Sequence, residues 1–358
     1  MKKFSFFLNC AASAMFAIAL TACSDVKDNP TPTPTPTPDP QPVVVDPIVE
    51  AIENGATLND LVANFAKDNT LSLPAGSAVK LAETLVLDAP LTLTSNGDGP
   101  AAIVANAGIV TSKNLTIKDL TIIATELESN LISLPSEEPA ELNEIEAITL
   151  DNVKIMGLGK ALFYSAAKKN LIQNVNILNS IVEVAKDVTV IDFTKGSSAV
   201  NINVDKSTIY ATATTSKAMY SSQSGQKLTE LLPDGIQTFK FANSTFFNFA
   251  KAKNFFTHRQ SNQKWLAYDV QGCIFVDCGK SGQVIKGMNG GQGGANPIWT
   301  IKGNVFNFDG ADTSEAETTG DNEEPVQESI AVVVAFADAA NGDFTQSKAN
   351  AGDPRWIK

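Results

Sequence analysis

The amino-acid sequence predicts an all-β fold: a single-stranded, right-handed parallel β-helix of about ten rungs, with a short N-terminal helical cap. Three observations predict it. An eight-residue phrase recurs seven times, each copy holds two short runs of alternating apolar residues, and a single residue joins the two runs. The copies are Leu115–Ile122, Ile148–Ile155, Val175–Val182, Ile202–Ile209, Phe239–Phe246, Tyr268–Phe275 and Trp299–Phe306.

Each phrase predicts two strands that meet at one sharp bend. Alternation with period two places one face of a strand in the interior and the other in solvent. Asn, Asp and Gly tolerate the left-handed backbone that a one-residue bend requires, whereas Lys206 fits this reasoning poorly. The bend residues are Asp119, Asn152, Asn179, Lys206, Asn243, Gly272 and Gly303. The next residue is mostly short enough for a crowded interior corner, as at Ser180, Ser207 and Ser244.

The phrases start 27 to 37 residues apart. A repeat of this length cannot bury its apolar face alone, so it must stack on its neighbours. The alternative, an antiparallel sandwich, would place Asn-Gly or Asp-Gly hairpin turns between strands. These pairs occur in the chain but never at the phrase corners, which favours the β-helix. The inward-facing set then includes Ile117, Leu150, Ile177, Val204, Phe241, Val270 and Ile301.

The domain organisation follows from composition. We expect a lipoprotein signal peptide over residues 1–22, a lipid anchor and Thr-Pro spacer over 23–45, a helical cap over 46–69 and the β-helix over 70–358. In the cap, apolar residues recur at helical spacing and Thr57 is a plausible N-cap. Helices there would cover the open edge of the first rung. The last strand is expected at Ser329–Phe336, and the tail to Trp356 would close the other end.

The chain resembles the pectin-lyase-like right-handed β-helices. Leu71–Leu81 is similar to the first rung of many members, and Leu91–Gly97 is similar to the next rung. The chain also resembles uncharacterised surface lipoproteins of the Bacteroidota, many of which end in a Gly-Asp-Pro-Arg-Trp pattern, here Gly352–Trp356. Among them are the domain-of-unknown-function families 4957 and 5123. The resemblance covers about residues 70–358 and implies the fold, but it implies almost nothing about function.

The first residues predict export and lipidation. Two lysines precede an apolar run, and small residues lead to Cys23 in the pattern Leu20–Cys23. This is a bacterial signal with a lipobox, so Cys23 is expected to carry lipid that anchors the protein to a membrane. The alternative, a transmembrane anchor, would need a longer apolar run. Pro30–Pro42 then alternates proline with other residues, which predicts a stiff spacer of about 40 Å.

Acidic residues directly after Cys23, interrupted by Lys27, resemble the surface-export signals of Bacteroidota lipoproteins. We therefore expect a lipid-anchored protein of the outer membrane that faces the cell exterior. The chain has 39 acidic and 27 basic residues, which excludes a nucleic-acid partner. It also disfavours an acidic polysaccharide unless calcium bridges the two. We expect a monomer.

No cofactor is expected. The acidic stretches Glu126–Glu146 and Asp309–Glu328 lack the ligand spacing of a calcium loop, so solvated loops are favoured over weak calcium sites. Cys273 and Cys278 are interpreted as two small core residues, with a disulfide or a metal pair as alternatives.

No catalytic residue is predicted. The outward position before the corner reads Lys118, Asp151, Leu178, Asp205, Ala242, Gln271 and Lys302, without the carboxylate cluster of a lyase or hydrolase. A Ser-His-Asp triad could use only His258, and no nucleophile turn accompanies it. The Gly-rich run Gly287–Ala295 lacks the Lys-Ser/Thr of a phosphate loop.

The insertion Ala250–Trp265 concentrates cationic, amide and aromatic side chains, which suit the hydroxyls and the ring face of a sugar. The candidate ligand-binding residues are Trp265, Arg259, Gln263, His258 and Lys264. The alternative is that Phe255 and Phe256 belong to an ordinary rung strand with a solvated polar edge. The sequence favours a non-catalytic surface protein that binds polysaccharide or another surface glycan, as an accessory protein or adhesin. The alternative is a divergent polysaccharide lyase or glycoside hydrolase.

Overall fold

The computed structural model describes residues 46–196, 198–213, 215–222, 228–257, 266–288, 297–314 and 328–358. Val45–Lys358 forms one compact unit. Its strands stack in parallel into long sheets, which we name A, B and C, and the chain visits these three sheets in turn. The predicted parallel β-helix fold class is therefore confirmed, whereas the number of rungs stays a prediction.

Sheets A and B hold the two strands of each phrase. Sheet A consists of Thr70–Pro74, Leu91–Asn96, Leu115–Lys118, Asn143–Asp151, Asn170–Leu178, Ser198–Asp205, Gln237–Ala242, Leu266–Gln271, the first part of Ile298–Phe308 and the short strand Glu328–Ser329. Sheet B consists of Ala78–Leu81, Ala101–Ala105, Leu120–Ile123, Lys154–Leu158, Ile181–Val184, Thr208–Ala211, Thr245–Phe247, Ile274–Val276 and the last part of Ile298–Phe308.

Sheet C closes seven of the rungs with strands of only two or three residues. They are Leu85–Leu87, Ile109–Thr111, Ile132–Ser133, Phe163–Tyr164, Ile191–Asp192, Tyr220–Ser221 and Phe256–Thr257. The remaining short elements are the strand Ala311–Asp312, the α-helices Leu228–Leu231 and Val284–Met288, and the 3₁₀ turns Lys280–Gly282, Ala339–Asn341 and Pro354–Trp356.

The predicted inward set forms one continuous column in sheet A. Each member pairs with its counterpart in the next strand, from Ile117 through Leu150 and onward to Ile301. All seven side chains are at most 7% exposed. Because a slip of one residue would turn every side chain to the opposite face, this burial confirms the predicted strand register.

The seven predicted bend residues all have positive φ, between 46° and 65°. The residues that follow them form a buried hydrogen-bond ladder. Ser180 N donates to Ser207 Oγ at 3.0 Å, and Ser207 N donates to Ser244 Oγ at 3.2 Å. Further along, Cys273 N donates to Asn304 Oδ1 at 2.8 Å. The bend turns these backbone N–H groups away from the strand pairing of the sheets. A buried N–H group without a hydrogen-bond partner destabilises the fold, and the side chains of the ladder supply the missing acceptors.

Two helices cover the first rung, as predicted. They are Pro47–Glu53 and Leu58–Phe65, and the second begins with a reciprocal capping box between Thr57 and Asp60. Leu58 and Leu61 are fully buried in the same core as the first strands. No helix in the described part of the chain combines the length and apolar character that crossing a membrane requires.

The C-terminal segment differs from the expected long strand over Ser329–Phe336. Only Glu328–Ser329 is a strand, and the chain then crosses the outside of sheet B. The Asn307 side chain explains why no strand forms over residues 330–336. It accepts a hydrogen bond from Val334 N at 2.8 Å and donates one to Val332 O at 2.7 Å, so it takes the place of a neighbouring strand's backbone groups. Val334, Ala349 and Ala351 pack on Ile274 and Val305 as a second small core.

Candidate functional site

The predicted site residues cannot be located among the described residues. His258, Arg259, Gln263, Lys264, Trp265 and the predicted lipidation residue Cys23 all lie outside them. The chain around the insertion is described, however: residues 258–265 connect Phe256–Thr257 of sheet C to Leu266–Gln271 of sheet A. The insertion is therefore the connection that precedes the sheet A strand Leu266–Gln271.

Phe255 and Phe256 are core residues. Both side chains are 0% exposed, and the ring of Phe256 lies 5.7 Å from Tyr220 and 6.2 Å from Tyr268. Phe255 stacks on Phe256 and meets Phe246 edge to face. These two aromatic residues of the insertion therefore pack inside the solenoid and do not face a ligand.

Four long connections enter sheet A along one edge, which we call the entry edge. They are residues 134–142, 222–236, 258–265 and 289–297. Several of the large exposed apolar side chains lie on or next to them: Leu142 is 39% exposed, Leu232 40%, Ile236 42% and Ile298 54%. The entry edge therefore places exposed apolar side chains next to the outward face of sheet A.

The outward face of sheet A carries a row of hydroxyl and amide side chains, which we call the amide face. Asn176 Nδ2 donates to Thr149 Oγ1 at 3.0 Å, and Asn203 Nδ2 donates to Asn176 Oδ1 at 2.8 Å. A parallel row joins Asn201 Nδ2 to Asn174 Oδ1 at 3.2 Å. All five side chains are half-buried. An amide has two N–H donors and an oxygen with two lone pairs, so Asn176, which donates one bond and accepts one along the row, keeps an N–H and a lone pair that can bind hydroxyls.

Two carboxylates flank the amide face at its corner side. Asp151 Oδ1 accepts from Asn179 Nδ2 at 2.8 Å, and Asp205 Oδ1 accepts from Asn243 Nδ2 at 3.4 Å. Leu178 lies between them in the sheet register. These contacts hold the two carboxylates to the corners of their rungs. Across the described residues, no three His, Cys, Asp or Glu side chains come together as a group that could hold a metal ion.

The two cysteines are buried and unbonded, which confirms their interpretation as core residues. Burial raises the pKa of each thiol to about 12. Cys273 Sγ donates to Gln271 O at 3.5 Å, and Cys278 Sγ donates to Val276 O at 3.4 Å. Burial therefore disfavours the thiolate, which is the reactive and metal-binding form, in the folded protein.

Sequence reasoning missed the amide face because it looked for charged columns. The signal was present at the second position of the phrases, which reads Thr116, Thr149, Asn176 and Asn203 in the first four copies. Each residue is ordinary alone, and only the register places it beside its counterpart.

Comparison with known families matches residues 84–212 to a domain of unknown function, DUF4957. The matched part runs from the sheet C strand Leu85–Leu87 to the sheet B strand Thr208–Ala211, and it contains the whole amide face. A search among curated proteins gave no match. The matched region is thus similar to a family that is defined by sequence and not by activity.

Proposed function

We propose that this protein is a lipid-anchored protein of the outer membrane that faces the cell exterior and binds glycans without cleaving them. It would act as an accessory protein or adhesin. The observation that carries the proposal is the amide face, a row of hydroxyl and amide groups beside the exposed apolar side chains of the entry edge.

The chemistry of this surface matches that of a sugar polymer. Sugar hydroxyls both donate and accept hydrogen bonds, as do the amides of Asn176 and Asn203. Parallel strands lie about 4.8 Å apart, so the same groups recur at a regular distance along a polymer. Apolar side chains at the edge can pack on the ring face of a sugar, and Trp265 on the adjoining connection would add an aromatic surface. Arg259, Gln263, His258 and Lys264 would supply further polar contacts there.

A binding role is favoured over the alternative of a polysaccharide lyase or glycoside hydrolase. Hydrolysis requires two carboxylates that act on the same glycosidic bond. Asp151 and Asp205 are instead each tied to a corner asparagine in different rungs.

The experiment is an affinity-gel screen of Val45–Lys358 against neutral and acidic polysaccharides. The double variant Asn176→Ala/Asn203→Ala should weaken binding about tenfold, and Trp265→Ala should do the same without lowering the melting temperature. Asn64→Ala, on the exposed side of the capping helix, is the matched control. Wild-type binding by the double variant would exclude the amide face. Release of unsaturated or shortened sugars would instead favour the enzymatic alternative.

The anchor is tested separately. Cys23→Ala should abolish lipid attachment and move the protein out of the membrane fraction, because the lipid chains provide the anchoring free energy. Radiolabelled palmitate in the variant would contradict lipidation at this residue. If external protease fails to cleave the wild-type domain on intact cells, outward display is excluded.

A further inference from the structure

Residues 251–286 form one of the positively charged stretches of this acidic chain. The whole protein has a formal net charge of −12, yet residues 251–286 contain six lysines and arginines and only two aspartates. A local excess of one sign raises the concentration of oppositely charged ligands near that surface. The segment lies where sheet C ends, because Phe256–Thr257 is the last strand of that sheet in the described chain.

A turn and a short helix, Lys280–Gly282 and Val284–Met288, pack over the end of sheet C. Lys280 N donates to Lys253 O at 2.9 Å, which fastens the turn to the preceding rung. A Cβ atom at Gly287 would lie 2.8 Å from Phe255 N, so the helix approaches the strand as closely as a glycine allows. Ser281 has a φ of 56°, an unfavourable value for a serine that the surrounding contacts maintain.

This arrangement borders an open pocket of about 380 Å³. Its lining is Asn254, Lys280, Ser281, Gln283, Lys286 and Gly287. Every side chain in that lining other than glycine can donate a hydrogen bond, and two are cationic. Among the described residues, no carboxylate takes part in the lining. The volume falls within the range of small-ligand sites and suits one or two sugar rings.

Lys251, which lies close to the pocket, differs from the lining residues Lys280 and Lys286 in that its charge is used within the fold. Its Nζ lies 3.0 Å from Asp277 Oδ2 and 3.7 Å from Asp309 Oδ1, and 5.4 Å from the centre of the Phe308 ring. These contacts use its charge within the fold. Among the described residues, no ion pair engages Lys280 or Lys286. Both side chains are exposed, so their charges are available to a ligand.

We infer that this cavity, the lysine pocket, binds an anionic substituent of a glycan, a sulfate or a carboxylate. The inference rests on the proposed glycan-binding function and adds a charge requirement to it. A lysine ammonium acts as a compact point charge with three donors, so it binds either anion without the planar geometry that arginine imposes. The acidic parts of the surface would repel the same polymer, which favours the approach of its anionic groups to cationic sites such as this pocket.

The test uses Val45–Lys358, which forms one compact unit with its own core. The variant Lys280→Gln/Lys286→Gln removes two charges from the pocket. The control Lys80→Gln/Lys160→Gln removes two charges from exposed sites elsewhere on the solenoid. The probes are heparin as a sulfated polymer, polygalacturonate as a carboxylated polymer and dextran as a neutral polymer. Equal melting temperatures for all proteins establish that the variants are folded.

We expect the pocket variant to bind the preferred acidic polymer at least about tenfold more weakly than the wild type and the control do, and high salt to reduce the difference. Selective loss for heparin identifies sulfate, and selective loss for polygalacturonate identifies carboxylate. Equal binding by the pocket variant and the control overturns the inference. Binding of dextran alone also overturns it but leaves the proposed function intact, whereas binding of no polymer overturns both.

Discussion

Asp353 of the C-terminal tail offers the sharpest test of how the outside of sheet B is held. Its side chain is fully buried and accepts a hydrogen bond from Thr208 Oγ1 at 2.7 Å. Arg355 Nε donates to both of its carboxylate oxygens, at 2.9 and 3.0 Å. Arg355 in turn donates to the backbone oxygens of Asn179 and Ser180, at 3.1 and 2.9 Å. Asp353→Ala would therefore leave a hydroxyl and a guanidinium without their shared acceptor.

The magnitude follows from the burial of the two partners. Removing one member of a fully buried ion pair costs about 3–5 kcal/mol of unfolding free energy. The Arg355 side chain is 35% exposed, so water screens its charge and reduces this cost. With the lost bond from Thr208 included, we expect Asp353→Ala to lower the unfolding free energy by about 2–3 kcal/mol. For a domain of this size that is a decrease of roughly 5 °C in melting temperature.

Thermal melts and hydrogen exchange of Val45–Lys358 provide the assay. The melt reports global stability, and faster exchange at Gly352 and Trp356 reports release of the tail. Asp234→Ala, in an exposed loop, is the control. Arg355→Ala completes a double-mutant cycle, in which the double variant should lose less stability than the two single variants added together. An unchanged melt with unchanged exchange, or additive losses in the cycle, would refute this account of the tail.

Two further predictions concern the interior. Val204→Asp should prevent folding, because Val204 is 0% exposed and an unpaired buried charge costs several kcal/mol. The control Val86→Asp should melt like the wild type, because Val86 is 61% exposed. Circular dichroism measures both, and a wild-type melt for Val204→Asp would contradict the strand register. The thiols of Cys273 and Cys278 should resist alkylation in the folded protein at about pH 8, because burial raises the pKa of each to about 12, and both should react in denaturant. Rapid reaction without denaturant would show that the rungs around them open.

The sequence predicts sheets A and B well because their strands are long enough to alternate and are joined by one diagnostic residue. The bend at Lys206 shows why position outweighs residue preference there. Its φ of 47° equals that of Asn179 one rung earlier, since the sheets on both sides impose the same turn on each rung. The energetic cost of a lysine in this conformation is offset by the stacked rungs, and a rule based on residue type alone would reject it.

Sheet C and the tail could not be predicted in the same way. A strand of two residues, such as Phe163–Tyr164, has no alternation that a pattern search could detect. The tail depends on contacts across 145 residues of sequence, from Asp353 to Thr208. Gly352 is equally non-local: its φ is 84°, and a Cβ atom there would lie 2.8 Å from Thr245 Oγ1. The need for a glycine at position 352 and for an aspartate at position 353 arises only once the stacked rungs have brought distant segments together, so neither can be read from the local sequence.

The candidate sites were partly visible in the sequence. The polar insertion was found through its composition, whereas the amide face requires the register that brings Asn176 beside Asn203. The lysine pocket was missed for a related reason. Lys280 and Lys286 lie on a turn and a helix that interrupt the repeat, and neither position belongs to the eight-residue phrase.

The three faces of the solenoid differ in what they leave open to a ligand. The C-terminal segment covers the later strands of sheet B, where Tyr210 packs 5.0 Å from Phe344 and Ile274 and Val305 are at most 1% exposed. The earlier strands of sheet B carry exposed lysines, Lys80 and Lys154. Sheet C presents strands of two or three residues, too narrow for a repeated set of contacts along the strand. Sheet A has the longest strands and keeps its row of hydroxyls and amides half-exposed. An elongated polymer that needs many weak hydrogen bonds would therefore lie along sheet A, and the insertion 258–265 enters that same sheet.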